Sequence, residues 1–483
     1  MSRRIVGPFN RVEGDLEVQL DIQGDQVAEA WVVSPMYRGF EQMLQGKQPV
    51  DAMSYVPRIC GICSVAQSVA AARALADAQG VLMPANGENA VNLILANENL
   101  ADHLTHFYMF FMPDFARDIY KAEAWYTPVA ERFTAMKGTA AKQMLPARAQ
   151  FMHLMGIMAG KWPHTLAIQP GGTTRTIKAE EKIRIMTCLY QFRTFLETTL
   201  FGDSLENIAA LSSAEELDGW MQSDQHRSSD FGLFLNISEA LSLHTLGRAS
   251  DHFMSYGVYP SNGESLFSRG VWENGELQRL NLNAIREDVS HSWMLKYGDA
   301  KHPFDGITQP DPEMKDGYSW CKAPRLENKV VEVGALARQQ VNGHPLIRSL
   351  VAASGGNVQN RVVARLLELA LVTMAMERWI KAIRPNEAFC HLQSMPDEAE
   401  GVGLMEAARG SLGHWLKIKQ GKIYNYQIIA PTTWNFAPRD AQEQPGALEQ
   451  ALIGAPVRKG ESTPVAVQHI VRSFDPCMVC TVH

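Results

Sequence analysis

Four of the seven cysteines in this chain form two Cys-x-x-Cys pairs, Cys60 with Cys63 and Cys477 with Cys480. Sulfurs spaced in this way can turn toward one centre and serve as ligands for a soft or borderline metal. A closed four-cysteine zinc site, an iron–sulfur cluster, nickel and copper(I) all accept such donors, and spacing does not choose among them. More than 400 residues separate the two pairs. Structural zinc modules usually draw their ligands from a short segment, because the metal replaces core energy that a small fold lacks. A chain of 483 residues needs no such help. Cys63 precedes a helix-like run from Ser64 to Ala76, whose N-terminal N–H groups and dipole would favour a thiolate. Gly61 removes a side chain where both sulfurs must converge. Cys188, Cys321 and Cys390 stand alone and read as small buried hydrophobes. An odd cysteine count in a long chain argues against a disulfide framework.

The elements that must position these pairs are mostly helical. Apolar residues recur at spacings of three and four over Val91–Phe111, Ala140–Met158, Ala179–Thr199 and Val358–Ile383. Leu16–Ser34 alternates and is rich in Val, with Gly24-Asp25 between two runs, which predicts a β-hairpin. Pro and Gly cluster at 160–172, 256–275 and 302–317, which read as long loops. No repeat or polar low-complexity linker interrupts the chain. The expected fold is therefore mainly α with small β elements (α+β), a single unit over 1–483. Composition agrees, at 46% hydrophobic and 20% charged. A net charge of −7 leaves no basic footprint for nucleic acid. The most apolar helical stretch, Leu366–Met376, contains Glu368 and is followed by Glu377 and Arg378, so it predicts a buried helix and no direct membrane insertion. Met1-Ser2-Arg3-Arg4 has no apolar run after it and is no signal peptide. A cytoplasmic location is expected unless a partner carries the chain elsewhere.

Arg58-Ile59-Cys60-Gly61-Ile62-Cys63 and Asp475-Pro476-Cys477-x-x-Cys480-x-x-His483 resemble the two signature motifs of nickel–iron hydrogenase large subunits. Arg11-Val12-Glu13-Gly14, Arg38-Gly39-Phe40-Glu41, Asp102-His103, Ala408-Arg409-Gly410 and Pro431-Thr432-Thr433-Trp434-Asn435 follow in the family's order, so the resemblance spans essentially the whole chain. It implies a large helical-bundle core and a catalytic large subunit that cleaves H2 heterolytically. Cys60 and Cys477 would be terminal nickel ligands, with Cys63 and Cys480 bridging nickel and iron. The iron would carry CO and cyanide, and Thr432 would offer its hydroxyl to a cyanide nitrogen. Arg409 would lie over the open side of the centre, oriented by Asp102 and Asp475, while Glu13 would carry the released proton away. Glu41, His483 and a main-chain oxygen near Ile428 would hold Mg2+, or Fe2+ in some relatives, pinning the C-terminal segment. Electrons need a way out, yet the only clustered cysteines are committed to one centre and no ferredoxin-like run is present. An iron–sulfur small subunit is therefore the implied partner, in a heterodimer or a dimer of heterodimers.

Several departures narrow the reading. Gln67 stands where most relatives have His; it can donate to a sulfur but cannot titrate. Ala408 replaces a usual Pro, and Asp15 a usual His. Relatives are commonly made with a C-terminal extension that is cut after the final His, so ending at His483 fits either a mature chain or one that never had the extension. Gln67, that ending, and Ile62 with Phe110 at the mouth of a gas channel all resemble the H2-sensing, regulatory branch. Such a branch would add a sensor histidine kinase as partner, and its bulkier channel residues would pass H2 while hindering O2. The alternatives are an energy-conserving uptake hydrogenase and, from another class, a structural protein with zinc on the four cysteines.

Overall fold

The computed structural model describes residues 2–461, 463–481 and 483. Its centre is a pair of long helices, Ala85–Thr105 and Val358–Ala382, packed on each other and buried on nearly all sides. A helix enclosed this way is apolar all round, and its few polar residues must find partners inside the protein. Those of Ala85–Thr105 do so: Asn97 donates to the Phe151 carbonyl, and Asn99 to the Tyr259 hydroxyl. Glu98 and Asp102 lie one turn apart, so they share a face. That face looks toward the cysteines. Thr139–Ala159 and Ala179–Phe195 flank the pair. Two of the four predicted long helices end in a wider π-helical turn, His106–Phe111 and Leu196–Phe201. Among the described residues no helix is long and apolar enough to cross a membrane.

The predicted N-terminal hairpin is present as Glu17–Gln23 and Gln26–Val33, turning at Gly24, where φ is +64°. Ser2–Val6 adds a third strand antiparallel to the first. The reading of 256–275 as a loop is wrong. Phe253–Ser261 and Glu264–Glu273 form a long antiparallel hairpin. Its turn is Asn262-Gly263, both at positive φ, the strongest short hairpin signal there is. Gly257, at φ +76°, is a second kink inside the first strand and made the segment resemble a loop. A further sheet, Ala399–Ala407, Gly410–Lys419 and Lys422–Ile429, had no counterpart among the predicted elements.

That sheet lies directly on Ser64–Gln79, the helix that begins at Cys63. Close approach is possible because the facing residues are small. A Cβ built on Gly401 would sit 2.1 Å from the Ala74 carbonyl oxygen, and one on Gly403 would sit 1.9 Å from that of Ala70. Sheet and helix backbones are thus in contact, and the helix cannot shift without the sheet. Gly403→Ala forces them apart, at an expected cost of about 1–3 kcal/mol. A lowered thermal midpoint and less metal per chain should follow; an unchanged midpoint would show the contact to be slack.

Candidate metal centre

The four cysteines of the two pairs meet. Cys60 Sγ lies 3.3 Å from Cys477 Sγ, Cys63 Sγ 3.0 Å from Cys480 Sγ, and Cys477 Sγ 3.2 Å from Cys480 Sγ. All four are free thiols and buried. Among the described residues they are the one cluster of Cys, His, Asp and Glu whose ligand atoms close within 4.8 Å. Cys60 follows a short 3-10 turn, Val56–Ile59, and Cys63 is the residue on which Ser64–Gln79 begins. Cys477 follows Asp475, held at φ +57°, and Cys480 lies in the single turn Met478–Thr481.

Three clamps bring these distant segments together. Backbone at Glu13 pairs in parallel with Cys477: the Met478 N–H donates to the Glu13 carbonyl at 2.7 Å. The Arg38 guanidinium donates to the carbonyls of Ile59 and Val479, the residues just before Cys60 and Cys480. Asp114 accepts from Arg11 and from Arg472 at 2.6 Å, tying the Glu13 loop to the last long helix, Val465–Ser473.

The N-terminus of the Cys63 helix is capped from another element. Glu98 accepts from the N–H groups of Val65 and Ala66, both at 2.9 Å, from the Trp162 indole at 2.8 Å and from the Ser64 hydroxyl at 3.3 Å. Burial pushes its pKa up to about 8, while the backbone and indole donors pull it down. Four donors and no acceptor around it make the ionised carboxylate the form that fits. The sequence carries a faint sign of this: Asn97-Glu98-Asn99 interrupts a helix that is otherwise apolar on that side.

Arg409 lies in the two-residue turn between Ala399–Ala407 and Gly410–Lys419. It donates to both oxygens of Asp102, one at 3.3 Å, and to Asp475 Oδ1 at 3.1 Å. Burial pushes Asp102 up to about 7 against the pull of the Arg409 charge. The second carboxylate oxygen of Asp475 and the Nε of Arg409 have no hydrogen-bond partner among the described residues. Thr432 Oγ1 accepts from the Cys477 N–H at 3.0 Å, which leaves its own O–H to donate elsewhere. Gln67 Nε2 is 3.9 Å from Cys480 Sγ. Glu13 is half-buried; burial and the neighbouring Cys60 raise its pKa, opposed by Arg409 and Arg38. Ile62 is half-buried against the core, and Phe110, on the His106–Phe111 turn, is also only half-buried.

Glu41 and His483 also meet, with Nε2 3.2 Å from Glu41 Oε1. Ile428 contributes its N–H, which donates to Glu41 at 2.7 Å. The motifs did not reveal two further residues there. Lys322 Nζ lies 3.2 Å from Glu41 and 3.5 Å from Glu287, whose carboxylate oxygens are buried without a hydrogen-bond partner among the described residues. Despite burial, Lys322 and His483 hold Glu41 at about 2. Two carboxylates thus face Lys322 and His483, and burial raises the Glu287 pKa against the pull of Lys322. A cation beside the orphaned carboxylate would fit that arrangement.

The four-sulfur cluster asks for a metal on the same grounds. Burial opposes ionisation of Cys60, yet hydrogen bonds from the other three cysteines and the Arg409 charge pull it well below the usual thiol range. Hydrogen bonds from its partners and burial push Cys63 well above it. The protein alone supports little negative charge there; several thiolates together require cations.

Comparison with known proteins agrees with this donor set. The family model described as nickel-dependent hydrogenase matches residues 38–141 and 142–483. The chain belongs to the nickel-dependent hydrogenase family. It is 30% identical to the periplasmic NiFeSe hydrogenase large subunit of Desulfomicrobium baculatum, over 99% of this chain and 94% of that one. It is 28% identical to the hydrogenase-2 large chain of Escherichia coli, over 100% and 97%. With the uptake hydrogenase large subunit of Rhodobacter capsulatus it shares 27%, over 100% and 95%. The reduced, active form of the Ni-Fe-Se hydrogenase from D. baculatum superposes with a TM-score of 0.85 at 29% identity, covering 100% of both chains. The fold is that of these large subunits.

Glu98→Ala would leave two helix N–H groups and an indole N–H buried without an acceptor. Each such orphan costs about 1–3 kcal/mol, so a loss of at least about 3 kcal/mol is expected in denaturant titration. A wild-type midpoint in this variant would mean that water replaces the carboxylate freely.

Proposed function

We propose that this chain is the catalytic large subunit of a nickel–iron hydrogenase, cleaving H2 into protons and electrons, and that it serves H2 sensing. The observation that carries the chemistry is the buried four-sulfur cluster beneath Arg409. Its three shortest sulfur–sulfur separations, 3.0–3.3 Å, draw four thiols to one point where metal must offset their charge. Cys60, Cys63, Cys477 and Cys480 would together hold a nickel–iron centre whose iron bears CO and cyanide. When bound, the centre polarises H2 and receives its electrons.

The chain's own residues do the rest. Arg409, fixed by Asp102 and Asp475, places a permanent positive charge over the sulfurs in a dry pocket, where it acts strongly. Thr432 has its hydroxyl hydrogen free to meet a cyanide nitrogen. The Cys477 sulfur accepts the proton, and the Glu13 carboxylate, whose backbone is paired with Cys477, relays it outward. Mg2+ or Fe2+ between Glu41 and His483 would anchor the last residues. Electrons pass to an iron–sulfur small subunit in a heterodimer.

Sensing is supported by Gln67 beside Cys480 and by Ile62 and Phe110, whose extra bulk would narrow a gas passage to O2 more than to H2. A sensor histidine kinase is the partner this role requires. An uptake role is the second reading, favoured by the likeness to uptake and periplasmic large subunits at 27–30% identity.

Metal analysis and infrared spectroscopy of the purified heterodimer test the chemistry. Nickel and iron in equal amounts with CO and cyanide bands are expected, whereas zinc in their place would sink the reading. The double variant Ile62→Val with Phe110→Leu tests the role. It should lose H2 oxidation in air while the parent protein keeps it, and an unchanged oxygen response would count against sensing.

A further inference from the structure

Gln67 touches the cluster, and two residues of a different element stand behind it. Its amide oxygen lies 3.0 Å from His414 Nε2, and His414 Nδ1 lies 2.9 Å from the Tyr426 hydroxyl. All three are sealed from solvent, with Gln67 1% exposed and the other two 0%. His414 lies on Gly410–Lys419 and Tyr426 on Lys422–Ile429, diagonal neighbours across paired strands. Their rings meet edge-on at 5.6 Å.

We propose that His414 and Tyr426 are positioning residues for Gln67, a buried hydroxyl–imidazole–amide chain that holds the amide N–H on Cys480. The proposal rests on the reading of Cys480 as a metal-bound thiolate. An amide has two ends of nearly equal shape, and only its N–H end suits an electron-rich sulfur. At 3.9 Å the contact with Cys480 is long, so it does little to select that end by itself. The selection falls to the groups behind.

Burial pushes His414 down to about 3, with His483 adding to the effect and Glu41 opposing it. A neutral imidazole has one N–H and one acceptor nitrogen. With its proton on Nε2, His414 donates to the Gln67 carbonyl, and Nδ1 accepts from the Tyr426 O–H. Every member is then satisfied. The reverse order would turn the Gln67 carbonyl onto the sulfur, setting lone pair against lone pair. The chain ends at Tyr426, which has no exposed surface and, among the described residues, His414 as its one side-chain hydrogen-bond partner. It therefore leads no proton out; it stores an orientation. A donor of this kind also carries no titratable proton at its tip, since Gln67 cannot ionise.

Three variants of the heterodimer test this. His414→Phe removes the donor and keeps a ring, His414→Gln returns an amide N–H near the Nε2 position, and Tyr426→Phe removes only the hydroxyl. Under H2, the CO and cyanide bands should split into two populations in His414→Phe, broaden in Tyr426→Phe, and return to one set in His414→Gln. One unshifted set in His414→Phe overturns the proposal. Nitrogen-15 NMR of histidine-labelled protein gives an independent reading: His414 should carry its proton on Nε2 throughout the neutral range. A proton on Nδ1, or an imidazolium, overturns it as well. If the unsubstituted protein shows no CO or cyanide bands, the nickel–iron reading fails, and the nitrogen measurement still decides the hydrogen-bond order.

Discussion

Four sulfur atoms from opposite ends of the chain share one buried point, and the rest of the structure answers that demand. Ionised thiols packed at 3.0–3.3 Å in a low-dielectric interior repel each other strongly unless cations sit among them. The protein has to present the sulfurs in place all the same. Closing a loop of more than 400 residues costs little more than closing one half as long, because the entropy rises only with the logarithm of length. The costly part is orientation, and the backbone supplies it. Glu13 pairs with Cys477, and Arg38 bonds to the carbonyl before Cys60 and to the one before Cys480. One guanidinium thus spans both motifs, a use that Lys, a compact point charge, could not reproduce.

A second set of buried charges holds the roof. Arg338 donates to the carbonyls of Ala407 and Ala408, just before Arg409, at 2.9 and 3.0 Å. It is itself held by Glu368 at 2.6 and 2.7 Å and by Glu406 at 3.2 Å. Glu406 in turn accepts from Ser411 and from the Tyr256 N–H. Buried ion pairs of this kind add little net stability compared with apolar packing, but removing one member strands the rest. Their value here is geometric. A turn of two residues would otherwise be free to swing, and Arg409 would lose its aim.

The legible parts of the sequence were those that follow simple periods or fixed motifs. Val358–Ala382 and Thr139–Ala159 emerged within a residue or two because helical spacing survives complete burial. The cysteine pairs were legible as ligands but not as partners of each other; family resemblance, not spacing, joined them. The sheet that carries Arg409 and His414 was missed because its strands are buried on both faces, so Gly410–Lys419 lacks the alternation that marks a half-exposed strand. Gly401 and Gly403 further dilute the strand signal of this segment, and they permit contact with the Cys63 helix. Glu98, Lys322 and Glu287 were invisible for a different reason. A lone charged residue looks solvated until its neighbours are known, and those neighbours are distant in sequence.

The arrangement also bears on the proposed route of the proton. Four carboxylates lie near the sulfurs, and three are immobilised. Glu98 is buried and saturated by four donors that fit only its ionised form. Asp102 and Asp475 share the Arg409 guanidinium, and protonating either would strand part of that charge. Gln67 and Thr432 donate without ionising. Glu13 differs on each count: no cation is bonded to its carboxylate, its side chain is half-exposed, and its backbone is locked to Cys477. A relay group needs a fixed position at one end and access to solvent at the other. Among these carboxylates Glu13 alone has both, and this is what supports the exit proposed for it.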